Sequence, residues 1–291
     1  MSETRNVIHT GDVFDVLPNL PAESVHTVMT SPPYWNLRDY GEADQLGLED
    51  TAEEFVENLA DVFDEVKRVL LPDGSLWLNL GDTYDDKDLQ QIPARVALEL
   101  QDRGWILRNR VTWTKPNAMP QSVKDRLNDT TEAVFHFVKS REYWYDLDAI
   151  REPHIAPNRT AGKREDYKQY GGGQDERPES HPEGKNPGDV FEVATKPFPK
   201  AHFATYPPEL CEKPIKATCP PDGIVLDPFA GAGTTLLKAK ELGRAFAGIE
   251  LNPEYADMAR ARIGLSPHDP SNVRDDDDQH GLEAYADGGE P

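Results

Sequence analysis

Two short apolar runs, far apart in the chain, each end in a turn rich in proline or glycine. Residues 25–29 precede Ser31-Pro32-Pro33-Tyr34-Trp35, and residues 224–226 precede Asp227-Pro228-Phe229-Ala230-Gly231-Ala232-Gly233-Thr234-Thr235. Each run has the length of a buried strand, and proline and glycine are poor residues with which to continue one. The pattern therefore predicts two core strands whose carboxyl ends carry functional turns.

The remaining apolar periodicity alternates between strands and helices. It predicts further strands at residues 6–9, 75–80, 106–113, 133–138 and 245–249, and helices from residue 12 to about 20, at 52–70, 89–101, 234–242 and 253–263, with a turn at 72–74. This order is typical of an α/β protein with a doubly wound, mostly parallel seven-stranded sheet. Strands 106–113 and 133–138 are expected to form an antiparallel edge of that sheet.

The pattern breaks between residues 151 and 200, which are rich in glycine, proline and charge. A segment of this length without periodicity is either functional or disordered. We therefore expect residues 1–150 and 201–265 to be two halves of one domain. Residues 266–291, which include four consecutive aspartates, are expected to form a solvated acidic tail.

The charge is strongly acidic. With 53 acidic against 31 basic residues the net charge is -22, whereas DNA phosphates are normally bound by Lys and Arg. Basic residues are nevertheless concentrated in 103–126 and 151–168. An acidic surface with local basic patches predicts a halophilic protein. The absence of a long apolar run, of a signal peptide and of a cysteine framework predicts a cytoplasmic protein, with Cys211 and Cys219 as reduced core or helix residues.

The glycine-rich turn has the composition of a nucleoside site. Gly231 and Gly233 allow the backbone to approach a ligand beyond a strand, and Glu250 at the end of the next strand can accept both hydroxyls of a ribose. No lysine follows the second glycine, so a P-loop for a nucleoside triphosphate is excluded. The alternative is a turn whose glycines serve packing alone.

The proline-rich turn is suited to holding an amino group. Pro32 and Pro33 have no N–H, so their carbonyls can only accept hydrogen bonds. The Pro32 carbonyl and the Ser31 side chain could hold the two hydrogens of an amine. Tyr34 would stack on the base that carries this amine, and Trp35 would support the same wall of the base pocket. The alternative is an exposed polyproline ligand, which a turn at the end of a buried strand does not favour.

Together these motifs resemble those of the beta-type amino-methylating DNA methyltransferases, over nearly all of residues 5–263. The form Ser-Pro-Pro-Tyr-Trp is typical of the cytosine-N4 group. The resemblance implies a circularly permuted class I fold that binds S-adenosyl-L-methionine, with 151–200 as the target-recognition segment. It assigns catalysis to Ser31, Pro32, Pro33 and Tyr34, the target-base pocket to Trp35 and Lys115, and cofactor binding to Gly11, Asp12, His202, Phe203, Ala204, Thr205, Asp227, Pro228, Phe229, Gly231, Gly233, Thr234, Thr235, Glu250 and Asn252. It implies no metal.

The implied reaction is transfer of a methyl group to N4 of a flipped cytosine in a short duplex site, for which a palindrome such as CTAG is predicted. The expected partners are double-stranded DNA, a cognate restriction endonuclease and a second copy of the chain. Adenine-N6 methylation is the nearest alternative, although that group more often carries Asp or Asn at the position of Ser31. Cytosine-C5 methylation is disfavoured because neither cysteine follows a proline. A non-catalytic DNA-binding protein is the alternative from another class.

Overall fold

Strands and helices alternate along most of the chain. The structure is a computed structural model that describes residues 4–37, 41, 45–154, 181–196 and 206–266. The strands are β1 Val7–Thr10, β2 Val25–Thr30, β3 Leu70–Leu80, β4 Tyr84–Asp85, β5 Asp88–Leu89, β6 Ile106–Thr114, β7 Thr131–Val138, β8 Val190–Glu192, β9 Ile224–Asp227 and β10 Ala245–Glu250. The helices are α1 Val13–Val16, α2 Ala52–Val69, α3 Ile92–Asp102, α4 Pro208–Thr218, α5 Thr234–Glu241 and α6 Pro253–Ile263, with short 3-10 helices at Leu17–Asn19 and Asp148–Ile150.

Eight of the strands form one sheet in the order β1-β10-β9-β2-β3-β7-β6-β8. The first five run parallel, and β7 runs antiparallel to both of its neighbours. The predicted α/β class and the antiparallel pairing of 106–113 with 133–138 are thus confirmed. The sheet has one strand more than predicted, because β8 pairs in parallel with β6.

Helices cover both faces of the sheet. One hydrophobic cluster joins α1, α2 and α3 to the sheet, and a second joins α4, α5 and α6 to its opposite face. Helix α2 shows how the sequence specifies this packing: nine apolar side chains are buried, Thr51 caps the first turn, and Lys67 and Arg68 complement the helix dipole at the last. In the described part of the chain no helix is both long and apolar enough to cross a membrane.

The two functional turns meet at the centre of the sheet. Strands β9 and β2 are parallel neighbours, with Val28 opposite Leu226, so both turns leave the same edge. The helix that follows β9 covers one face and the helix that follows β2 covers the other. Such a switch point leaves an open crevice beyond the strand ends, where ligands bind in α/β proteins.

Three local features differ from the expectations. Helix α4 was not predicted, because Pro214 and two lysines interrupt the apolar pattern that buries Leu210 and Ile215. The predicted turn at 72–74 lies within β3, where a register shift against β2 accommodates it as a bulge. Residues 190–192 of the irregular segment 151–200 form β8, whereas 155–180 and 197–200 lie outside the described residues, as does the tail from residue 267.

Both cysteines are free and fully buried, as predicted. Cys211 lies in α4 and Cys219 caps its carboxyl end. Burial raises the pKa of the Cys211 thiol well above its usual value and that of Cys219 to about 12. A thiol with so high a pKa is a poor nucleophile, so both side chains serve packing.

Candidate active site

One cleft of about 880 Å³ connects the two turns beyond the ends of β9 and β2. Its volume suits a cofactor together with part of a second ligand. Of the predicted site residues, those that line the cleft are Gly11, Asp12, Ser31, Pro32, Pro33, Tyr34, Lys115, Pro228, Phe229, Gly231, Thr234, Glu250 and Asn252. The fold therefore brings most of the predicted catalytic and cofactor residues to a single site.

The glycine-rich turn presents mainly backbone to the cleft. Gly231 has a φ of +50°, and a Cβ added to it would meet no atom within 4 Å, so open space lies beside this backbone. Its N–H donates to Glu250 Oε2 at 2.7 Å, and the N–H of Asn252 donates to Glu250 Oε1 at 3.0 Å. These two bonds fix the Glu250 carboxylate in the wall of the cleft. Its binding of a ribose stays a prediction.

A second loop completes this end of the cleft. The N–H of Gly11 donates to the backbone carbonyl of Glu250 at 2.9 Å, which holds the loop after β1 against the end of β10. Asp12 caps α1 by accepting from the N–H of Phe14 at 2.7 Å. Asn252 likewise caps α6. Asp12 and Asn252 thus organise the cleft wall as well as lining it.

Asp227 lies behind the cleft and does not line it. Its side chain is fully buried and accepts from the Thr30 hydroxyl at 2.6 Å, from the Phe229 N–H at 3.1 Å and from the Tyr206 hydroxyl at 3.0 Å. Burial raises the pKa of this carboxyl, and these hydrogen bonds oppose the rise. The predicted direct contact with the cofactor does not fit this placement. Asp227 instead ties the end of β2 to the glycine-rich turn.

Gly233 and Thr235 also support the turn from behind. Gly233 has a φ of +74°, and a Cβ added to it would lie 2.9 Å from the Cβ of Ala259 in α6. Thr235 is buried and donates to the Met29 carbonyl at 3.0 Å. Thr234, which does line the cleft, accepts from Arg262 at 2.9 Å. Gly233 and Thr235 were predicted to bind cofactor, and the structure gives them packing roles instead.

At the other end of the cleft, the Ser31 turn presents its side chains. The Tyr34 hydroxyl donates to Glu132 Oε2 at 2.7 Å and lies 3.2 Å from Ser31 Oγ. Asn79 Nδ2 lies 2.8 Å from the Tyr34 hydroxyl, 2.8 Å from Glu132 Oε2 and 3.2 Å from Ser31 Oγ. Lys115 forms an ion pair with the other oxygen of Glu132. These five residues, hereafter the amine-site cluster, come from β3, from β7 and from the turns that follow β2 and β6.

The ring of Tyr34 packs on the end of β3. A Cβ added to Gly81 would lie 2.4 Å from Tyr34 Cε2, so only glycine leaves room for the ring in this position. Trp35, which was predicted to contribute to the base pocket, is buried in the core and donates through Nε1 to the Glu49 carbonyl. It does not line the cleft. Trp35 therefore anchors the turn, while Tyr34 faces the ligand space.

Sequence reasoning missed three polar residues of the site. Asn79 is 1% exposed within the otherwise apolar run 76–80, and a buried polar residue in such a run is itself an informative signal. Glu132 begins the apolar part of β7 and Tyr206 precedes α4, but nothing in their spacing shows which turn they reach. His202, Phe203, Ala204 and Thr205 lie outside the described residues. Their cofactor role stays a prediction.

Comparisons with known proteins agree with this geometry. Residues 25–261 match the family model N6_N4_Mtase, described as DNA methylase. The chain is 42% identical over 287 residues to the type II methyltransferase M.XycI of Xanthomonas campestris pv. cyanopsidis, covering 89% of this chain and 87% of that protein.

Solved structures show the same fold. The cytosine-N4-specific PvuII DNA methyltransferase superposes with a TM-score of 0.69 at 23% identity, over 89% of this chain and 86% of that one. A protein of Thermus thermophilus in complex with S-adenosyl-L-methionine gives a TM-score of 0.59 at 26% identity, over 88% and 92% of the two chains. The open backbone at Gly231 and the Glu250 carboxylate fit the nucleoside part of that cofactor. The chain therefore belongs to the DNA methylase family and uses S-adenosyl-L-methionine as its methyl donor.

Proposed function

We propose that this DNA methyltransferase transfers a methyl group to the exocyclic N4 of a cytosine flipped out of duplex DNA. The observation that carries the proposal is the single cleft that joins the glycine-rich turn to the side chains of Ser31 and Tyr34. A flipped base is needed because the amino group inside a duplex cannot reach such a site.

The residues of the Ser31 turn supply the groups that an amine needs. The Ser31 hydroxyl oxygen and the Pro32 carbonyl accept the two amine hydrogens, which turns the nitrogen lone pair toward the glycine-rich end of the cleft. The Tyr34 ring stacks on the base. When bound, S-adenosyl-L-methionine supplies an electrophilic methyl group, so positioning of the nitrogen is the main task of the protein.

Serine at the head of the turn supports cytosine over adenine, and the cytosine-N4-specific PvuII enzyme shares the fold. The type II designation of M.XycI supports a restriction endonuclease partner with the same site. Residues 155–180 are the main part of the predicted target-recognition segment and lie outside the described residues. A CTAG-like palindrome, a homodimer and adaptation to concentrated salt stay predictions.

The product of the reaction tests the proposal. Duplex DNA of mixed sequence is incubated with the protein and methyl-labelled S-adenosyl-L-methionine, digested to nucleosides and separated. Labelled N4-methylcytosine is the expected product, and sequencing of the methylated sites identifies the flanking bases. If the labelled product is N6-methyladenine, the target base is adenine and not cytosine. Absence of label from DNA would overturn the proposal.

A further inference from the structure

The amine-site cluster contains one carboxylate, that of Glu132, which lines the cleft and is hydrogen-bonded to the Tyr34 hydroxyl. Glu132 Oε2 accepts from the Tyr34 hydroxyl at 2.7 Å and from Asn79 Nδ2 at 2.8 Å, while Oε1 is held by Lys115. The side chain of Glu132 is 14% exposed and that of Lys115 is 20% exposed, so the pair is largely shielded from water. We propose that Glu132 acts through Tyr34 as a positioning residue that orients Ser31 and takes up the proton released by the methylated amine. This inference rests on the proposed amine methylation.

Glu132 sets the direction of the hydrogen bonds that reach Ser31. The Tyr34 hydroxyl has one hydrogen, and it is donated to Glu132. In the contact of 3.2 Å between Ser31 Oγ and the Tyr34 hydroxyl, Ser31 must therefore be the donor. With its own hydrogen turned toward Tyr34, Ser31 offers only lone pairs to the cleft. An amine hydrogen needs such an acceptor, so the carboxylate makes Ser31 ready to receive it.

The same series of hydrogen bonds, from Ser31 through Tyr34 to Glu132, provides a path for the proton. As the nitrogen–carbon bond forms, the carbon–sulfur bond breaks and its electron pair leaves on sulfur, so the nitrogen carries one hydrogen too many. That proton passes to Ser31 Oγ, the hydrogen of Ser31 passes to Tyr34, and the hydrogen of Tyr34 passes to Glu132. The nitrogen, Ser31 and Tyr34 end neutral, and Glu132 becomes a neutral acid beside Lys115. Bulk water then restores the carboxylate after product release.

Lys115 and Asn79 keep Glu132 in place for this task. The lysine holds one carboxylate oxygen, which leaves the other directed at Tyr34. The Asn79 amide approaches Ser31, Tyr34 and Glu132 from β3, so the three acceptors share one donor group on a rigid strand. A preorganised arrangement of this kind avoids the cost of reorienting dipoles during reaction.

The test uses the full chain in single-turnover methylation of duplex DNA, with Glu132→Gln as the first variant. Glutamine keeps the shape and can still accept from Tyr34, but it carries no charge that can take the proton. We expect the rate of transfer to fall about 100-fold, which is typical for loss of an acid–base group. The dissociation constants of S-adenosyl-L-methionine and DNA should stay within about twofold. Glu132→Asp should recover part of the rate.

Tyr34→Phe keeps the aromatic ring but removes the hydroxyl that links Ser31 to Glu132. If both residues act in one path, the double variant Tyr34→Phe with Glu132→Gln should be no slower than the slower single variant. Glu212→Gln is the matched control, because Glu212 pairs with Lys216 on α4, away from the cleft. Its rate should equal that of the unchanged protein.

The outcomes separate this inference from the proposed function. Suppose that the unchanged protein methylates an amino group and that the rate of the Glu132→Gln variant is within about threefold of that rate. This result would overturn the role of Glu132 and leave the proposed function standing. Loss of cofactor or DNA affinity in Glu132→Gln would show a purely structural role and would also overturn it. Failure of the unchanged protein to methylate any amino group would overturn both.

Discussion

The two turns at the cleft use their polar side chains in opposite ways. In the first turn Ser31 and Tyr34 line the cleft and join a hydrogen-bonded cluster there. In the second turn Asp227 and Thr235 are fully buried behind the cleft, and the backbone around Gly231 faces the ligand space.

The difference follows from what each turn has to bind. In the mechanism that we propose, an amine is held and deprotonated by individual side chains, whereas a nucleoside is held by backbone in close approach and by one acidic residue. Substitutions in the first turn should therefore lower the rate and spare the fold. Substitutions of the buried residues in the second turn should lower the stability first and affinity as a consequence.

The largest effect is expected for Tyr34→Ala. The variant loses both the stacking surface for the base and the hydroxyl of the amine-site cluster, so kcat should fall about 1000-fold, equivalent to about 4 kcal/mol. Cofactor affinity, measured by calorimetric titration, should change by less than about twofold. Joint loss of rate and cofactor affinity would break the proposed division of labour between the turns.

Asp227→Ala should have the second largest effect, and on a different quantity. It leaves the Thr30 hydroxyl, the Phe229 N–H and the Tyr206 hydroxyl without their buried acceptor. We expect the free energy of unfolding to fall by about 3 kcal/mol, as measured by urea denaturation. A variant of normal stability that had lost only cofactor affinity would show that Asp227 contacts the cofactor directly, as first predicted.

Gly81→Ala tests the position of Tyr34 without removing any group of the cluster. The added Cβ would lie 2.4 Å from Tyr34 Cε2, so the ring must move. A displacement of about 1 Å can cost about 100-fold in rate, which a methylation time course would detect. Gly188→Ala is the control, since its Cβ would meet no atom within 4 Å. Equal rates for the two variants would show that the ring position is not critical.

The smallest effect separates the two glycines of the second turn. Gly233→Ala combines a φ of +74° with a contact of 2.9 Å to Ala259 Cβ, so stability should fall by about 2 kcal/mol. Gly231→Ala has a φ of +50° but open space around the new Cβ, and should cost about 1 kcal/mol. For cofactor affinity, Gly231→Ala should cause the larger loss of the two variants, because Gly231 lines the cleft and Gly233 does not. Thermal melts with and without S-adenosyl-L-methionine give both quantities.

Most elements of the fold could be predicted because their periodicity is local. The bounds of α2 and α6 differ from the prediction by one residue at most, and each has a cap and an apolar stripe that the sequence displays. Helix α4 and strand β8 could not be predicted in this way. Proline interrupts the first, and the second is three residues long and is stabilised by its pairing with β6.

The sequence by itself determined the fold class, the two turns and the roles that we propose for Ser31, Tyr34 and Glu250, because these depend on residue type and on position relative to a strand end. Only the tertiary structure decided which polar groups meet. The sheet order places Asn79 and Glu132 beside Tyr34, and it buries Asp227, at the end of β9, against Thr30 of β2. Contacts between residues distant in sequence depend on strand order and register, which local patterns do not contain.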